Sequence, residues 1–136
     1  MLNAHHVDYM VVGGHAMAVH GVPRYTKDLD IWIERTPENA ARVLAALVEF
    51  GFSDLGITTN DLIAPDTVIQ LGYEPNRIDL LTDISGVRFE DARAEALSVE
   101  ISGVMIRAIG KRQLQENKRA SARPRDLIDA QELESK

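Results

Sequence analysis

Apolar and polar positions alternate along this chain in short blocks, and each block has a period that names an element. Tyr9-Met10-Val11-Val12 is an apolar run stopped by Gly13-Gly14, the mark of a buried strand entering a tight turn. His15 to His20 follows as a short helix closed by Gly21 and Pro23. Residues 27 to 34 alternate as a strand. Thr36-Pro37-Glu38 then starts a helix, with an N-capping Thr, Pro in the first turn and an acid beside it. Val43, Leu44, Leu47 and Val48 keep helical spacing until Gly51 ends the run. Residues 52 to 66 read as loop with a short helical turn.

The second half continues in the same way. Thr67 to Leu71 and Arg77 to Thr82 read as strands joined across Gly72 to Asn76, and Phe89 to Ala96 as a short helix. Leu97 to Ile101 and Val104 to Ile109 are β-like runs about Ser102-Gly103, a hairpin signal. Lys111 onward is helical, breaks near Pro124 and resumes from Arg125 to Glu134. The order predicts one α/β (α+β) domain over residues 1–136, with C-terminal helices over 110–135. Its sheet is expected to be mixed and partly antiparallel, with the helices concentrated on one side.

One strand breaks a rule. Asp is depleted in strands, yet Asp28 and Asp30 sit one residue apart in Asp28-Leu29-Asp30-Ile31-Trp32-Ile33. Alternation puts Asp28, Asp30, Trp32 and Glu34 on one face, and Leu29, Ile31 and Ile33 on the other, which can pack on a core. Strand geometry sets the two Asp Cβ atoms about 7 Å apart, so both carboxylates can lean onto one cation. Asp79 repeats the theme inside Arg77-Ile78-Asp79-Leu80-Leu81, and joins the pair if the two strands are neighbours. Three clustered carboxylates repel one another. A hard divalent ion such as Mg²⁺ relieves that repulsion, and it is typically bound by one or two carboxylates together with substrate phosphates. The plainer alternatives are an edge strand whose acids meet water, and an Asp79 that is a surface acid paired with Arg77. Trp32, on the Asp face by parity, reads as a packed aromatic rather than a base-stacking one.

Composition narrows the chemistry. The 136 residues carry a net charge of −6, which argues against coating nucleic acid by bulk charge. Yet Lys111, Arg112, Lys118, Arg119, Arg123 and Arg125 crowd one stretch, which suits a polyanion bound at one place. No cysteine is present, which excludes disulfides and thiolate metal sites. No apolar run is long enough to span a membrane and the first residues do not resemble a signal peptide, so a cytoplasmic protein is expected. His15 and His20 are five apart, which puts them on different faces of a helix, and the pattern predicts no zinc site.

Gly13-Gly14 exposes backbone N–H groups between a strand and a helix, a natural place for phosphate, although a Gly pair alone often only makes a turn. It is neither a P-loop nor a dinucleotide fingerprint. Taken together, strand, Gly13-Gly14, short helix, Asp28-Leu29-Asp30 and a later Ile78-Asp79-Leu80 resemble the nucleotidyltransferases of the DNA polymerase β-like superfamily. The string "VVGGHAMAVHGVPRYTKDLDIWI" is similar to its small stand-alone bacterial members, both minimal nucleotidyltransferases and toxin–antitoxin components. Arg24, Thr26 and Asp28 match an Arg-x-Thr-x-Asp stretch of that group. Lys118, Arg125, Asp126 and Asp129 match its C-terminal pattern. Thirteen residues between Gly14 and Asp28, and only a stub before Tyr9 where relatives carry a fuller helix, are the departures.

The resemblance implies a mixed sheet flanked by helices and transfer of a nucleotidyl group from an NTP to an acceptor hydroxyl. It implies Asp28, Asp30 and Asp79 as catalytic, metal-holding residues for two Mg²⁺ ions, one arriving with the NTP. Gly13, Gly14, Arg24, Thr26, Lys27, Lys118 and Arg125 are implied as nucleotide contacts. The Lys and Arg pair could equally be a solvated helix face. Acceptors in view are a protein or a tRNA, and partners are a cognate toxin or antitoxin or a second copy of the chain. Two other readings stay open: a protein of the same fold that binds nucleotide or partner without catalysis, and a transferase acting on a small molecule such as an antibiotic.

Overall fold

The computed structural model describes residues 2–22, 28–52, 55–72, 77–101 and 103–136. A short 3-10 turn at Asn3–His5 leads into β1 (Tyr9–Val12), then α1 (Gly13–Val19), β2 (Leu29–Ile33), α2 (Pro37–Glu49) and α3 (Thr59–Ile63). β3 (Val68–Leu71), β4 (Ile78–Leu81), α4 (Phe89–Arg93), β5 (Leu97–Ile101), β6 (Val104–Ala108), α5 (Lys111–Ser121) and α6 (Pro124–Glu134) complete the chain. The strands form one six-stranded sheet in the order β3-β4-β2-β1-β6-β5. β2 runs parallel to β4 and β1 parallel to β6, while the other neighbours are antiparallel.

Local sequence explains the boundaries. Thr36 caps α2 by accepting from the Asn39 N–H at 3.1 Å, with Pro37 at the first helical position. Thr58 and Asp61 close a reciprocal capping box on α3, which stabilises a helix of only five residues inside the stretch expected to be mostly loop. Asn39 is fully buried but satisfied. Its side chain accepts from Asp8 N–H at 2.7 Å and donates to the carbonyls of Asp8 and Glu34, tying α2 to the ends of β1 and β2.

The expectation that helices gather on one side is not met, because both faces of the sheet are covered. Tyr9, Val11, Ile31, Ile33, Leu80 and Ala108 pack with Val43, Ala46 and Leu47 of α2 and Leu62 of α3. On the opposite face, Met10, Val12 and Trp32 pack with Ala16 and Met17 of α1, Ala92 of α4, Leu114 of α5 and Leu133 of α6. Both parities of β1 and β2 therefore feed a core. β1 is buried throughout, as a central strand with covered faces must be. The Asp face of β2 is not a wet edge. Trp32 on that face is 1% exposed and meets Phe89 edge-on, with ring centroids 5.0 Å apart.

Candidate active site

The two acid-bearing strands are neighbours. In the parallel β2–β4 pairing Asp30 stands directly opposite Asp79, and Leu29 opposite Ile78. Asp28 lies one residue before β2, at the level of Arg77, whose carbonyl accepts the Leu29 N–H at 3.1 Å. The three carboxylates thus gather at one end of the two central strands. On the other side of β2, Val12 pairs with Asp30, so the chain leaves β1 beside the same carboxylate.

Gly13 makes that corner fit. Its φ is +71°, a conformation that a residue with a Cβ rarely adopts. A Cβ there would overlap Asp30 Oδ2 and stand 3.1 Å from its Cγ. The glycine pair therefore forms the first turn of α1 rather than preceding it, as the sequence pattern suggested. Burial, and after it the charges of Asp79 and Asp28, push the Asp30 carboxyl above its ordinary value. His15 and Lys118 pull the other way less strongly.

Arg77 answers part of that crowding. Its Nη2 donates to Asp28 Oδ2 at 3.0 Å and to Asp79 Oδ2 at 3.3 Å, and its Nε lies 3.0 Å from Asp79 Oδ1. The pairing of Asp79 with Arg77 weighed from sequence is present, but Asp79 is buried rather than at the surface. Among the described residues, no three His, Cys, Asp or Glu side chains close on a point that could hold a metal ion. The donors are of the right kind for a hard cation, and a cationic nitrogen already stands between two of them.

A cavity of about 730 Å³ opens beside this corner. Gly13, Gly14 and Asp30 line it, and so do Lys118, Arg123 and Arg125 with Asp126 and Asp129 among them. The cationic lining comes from the α5–α6 junction, where Ala122 turns at φ +56° and Pro124 starts the next helix. Lys118 Nζ is 3.4 Å from Asp126 Oδ1 and 3.2 Å from Asp129 Oδ2. Asp126 also accepts from Ser121 Oγ and Arg123 Nε, each at 2.7 Å. Burial, the largest influence on Asp126, pushes its carboxyl up, but these two bonds and the Lys118 charge outweigh it and hold the group below its ordinary value.

Of the residues expected at the site, Gly13, Gly14, Asp30, Lys118 and Arg125 line the cavity, while Asp79, paired with Asp30, and Asp28, bonded to Arg77, do not. Arg24, Thr26 and Lys27 lie outside the described residues. Sequence reading had no role for Asp66 and Asp83. Both line the cavity, and Asp83 accepts two bonds from Arg35 and one from the Asp66 N–H. Nothing local marks them, because chain segments far apart in sequence bring them there.

The architecture, a mixed sheet flanked by helices with paired acids at the ends of two parallel central strands, is a nucleotidyltransferase-like fold. The chain is similar to the crystal structure of a "putative nucleotidyltransferase (TM1012)" from Thermotoga maritima. That match has 19% identity and a TM-score of 0.57, covering 95% of this chain and 81% of that one. No family model matches the sequence, and no curated protein does. Among the described residues, no helix is long and apolar enough to cross a membrane.

Proposed function

We propose that this chain is a Mg²⁺-dependent nucleotidyltransferase that moves a nucleotidyl group from an NTP to a hydroxyl of a protein or RNA. The observation that carries this reading is the register of Asp30 against Asp79, with Gly13 held against Asp30 at the mouth of a cavity walled by Lys118, Arg123 and Arg125. Acids and cations face one space, as a triphosphate and its ion require. The ion would be held by Asp28, Asp30 and Asp79 and would supply charge neutralisation at the reacting oxygens. Lys118 carries phosphate charge, kept in place by Asp126 and Asp129. Gly13 and Gly14 let the backbone approach the nucleotide. The acceptor oxygen bonds to the α-phosphorus and the bond from that phosphorus to the bridging oxygen breaks. Pyrophosphate leaves with the electron pair, and Asp79 takes the hydroxyl proton.

Incubation with Mg²⁺, labelled NTPs and candidate acceptors (tRNA, proteins encoded next to it, the chain itself) should transfer label to one of them. Asp30→Ala and Asp79→Ala should abolish transfer. Label transfer that survives both substitutions would refute the reading. A protein partner encoded alongside and labelled by this chain would support a toxin–antitoxin role.

A second reading has one observation in its favour. Asp28 and Asp79 are bonded to Arg77 rather than poised round a common point, as they would be in a protein that binds nucleotide without catalysis. Nucleotide binding that persists without Mg²⁺ and in Asp30→Ala would favour it.

A further inference from the structure

We propose that Arg77 is the resident counter-ion of the carboxylate site, and that a divalent cation enters by displacing its guanidinium. This rests on the nucleotidyltransferase reading above. Arg77 and Asp79 are two residues apart at the start of β4, so alternation puts them on one face. The guanidinium then reaches sideways to Asp28, at the mouth of β2. One nitrogen serves both carboxylates, at 3.0 and 3.3 Å, and a second lies 3.0 Å from Asp79. The three side chains are mostly withdrawn from water, with 27% of Arg77, 30% of Asp28 and 12% of Asp79 exposed. At such a depth charge-assisted hydrogen bonds persist.

Asp30 stands opposite Asp79 and raises the negative charge at the same place. A cation beside these carboxylates relieves their mutual repulsion. Arg77 supplies one positive charge from within the chain. A divalent ion supplies two and takes carboxylate oxygens as ligands at about 2.0–2.1 Å when it is Mg²⁺. The guanidinium and the ion need the same oxygens of Asp28 and Asp79, so they compete. One guanidinium nitrogen, within hydrogen-bond distance of both carboxylates, already holds the place between them that the ion would take.

The test is Mn²⁺ binding to the full chain without nucleotide, measured by the electron paramagnetic resonance of free ion. Arg77→Met should bind Mn²⁺ about tenfold or more tighter than wild type, the scale of one lost charge-assisted competitor. Arg77→Gln, a second neutral replacement, should do the same should the Met variant fold poorly. Arg77→Lys keeps the charge and should stay near wild type. In wild type, the Arg Nε–Hε resonance that is missing from Arg77→Lys should move when Mg²⁺ is added. If the neutral variants bind Mn²⁺ no tighter than wild type while Asp30→Asn loses binding, Arg77 is no competitor and the displacement idea is overturned, but the metal site stands. If wild type and the neutral variants all fail to bind Mn²⁺, the displacement idea is overturned, while Mg²⁺-dependent label transfer decides the nucleotidyltransferase reading separately.

Discussion

Gly13→Ala probes the corner between β1 and α1, where one residue meets two separate demands. The first is conformational: at φ +71°, a Cβ costs about 1–2 kcal/mol. The second is spatial. The new methyl would overlap Asp30 Oδ2, with Cγ at 3.1 Å and Cβ at 3.3 Å, and overpacking of this kind costs about 1–3 kcal/mol. Together they predict a loss of about 2–5 kcal/mol. Two references separate the parts. Gly103 has φ +80° and nothing within 4 Å of an added Cβ, so Gly103→Ala should show the conformational cost alone. In an Asp30→Ala background the obstructing carboxylate is gone and only the Cβ contact at 3.3 Å is left, so the cost of Gly13→Ala should fall towards that level. The double-mutant cycle then gives a coupling of about 1–3 kcal/mol. Urea unfolding can be followed through Trp32, the only tryptophan, which is 1% exposed in the fold. With slopes of about 1–3 kcal/mol/M, each kilocalorie moves the midpoint by about 0.3–1 M. If Gly13→Ala costs the same in both backgrounds, the glycine does not touch Asp30 and the geometry of the site is wrong.

Three further outcomes follow from the charges. Asp30 has its folded pKa raised by burial, then by Asp79 and Asp28, so the folded state binds its proton more tightly than the unfolded state does. Stability should fall as pH rises through the window above the ordinary 3.8, and Asp30→Asn should be more stable than wild type at neutral pH, with the gain vanishing in acid. Urea midpoints against pH for both proteins check this. Asp126 has the opposite sign. Its folded pKa is lowered, so its contribution is present above 3.8 and is lost as pH falls through the folded value. Asp126→Asn should cost about 1.5–3 kcal/mol at neutral pH and little in acid, and a loss that does not shrink in acid would refute the charge assignment. Lys118→Met leaves Asp129 and Asp126 without that cation, so it should lower the thermal midpoint and weaken NTP binding in calorimetry. Unchanged NTP affinity in that variant would remove Lys118 from the nucleotide site.

Much of the fold was legible because the chain is locally consistent. The strand expected over Leu97 to Ile101 has those bounds in the structure, and the helix announced by Thr36-Pro37 begins at Pro37. What the pattern missed were features decided by tertiary contact. Alternation correctly separates Asp30 and Trp32 from Ile31 and Ile33, but it cannot say that the first face is also covered. That depends on α1, α4, α5 and α6 arriving over Met10, Val12 and Trp32. Period-two reasoning assumes one wet face, and a central strand between two helical layers has none. The start of α1 was also misplaced, because Gly reads as a helix breaker. Here its positive φ is what turns β1 into the helix beneath Asp30.

The site shows the same division. Residue type and spacing brought Asp28, Asp30 and Asp79 under suspicion, and register placed Asp30 against Asp79. The sequence does not say what balances them. Arg77 could be read as a neighbour that neutralises a surface acid, and it does pair with Asp79. Only the crossing to Asp28, just ahead of β2, makes it a bridge between two parts of the site. The cationic side repeats this logic in reverse, since Lys118 is held by Asp126 and Asp129 from the next helix. The acids and the cations of the site thus each have an opposite charge bonded to them from within the chain. A ligand that brings both a polyanion and a cation can exchange with both internal partners at once. A polyanion alone must compete with Asp126 and Asp129 for Lys118, and a cation alone must compete with Arg77. Such a site should therefore bind NTP and divalent ion together more tightly than either separately, and calorimetry with each alone and with both would show it as positive coupling.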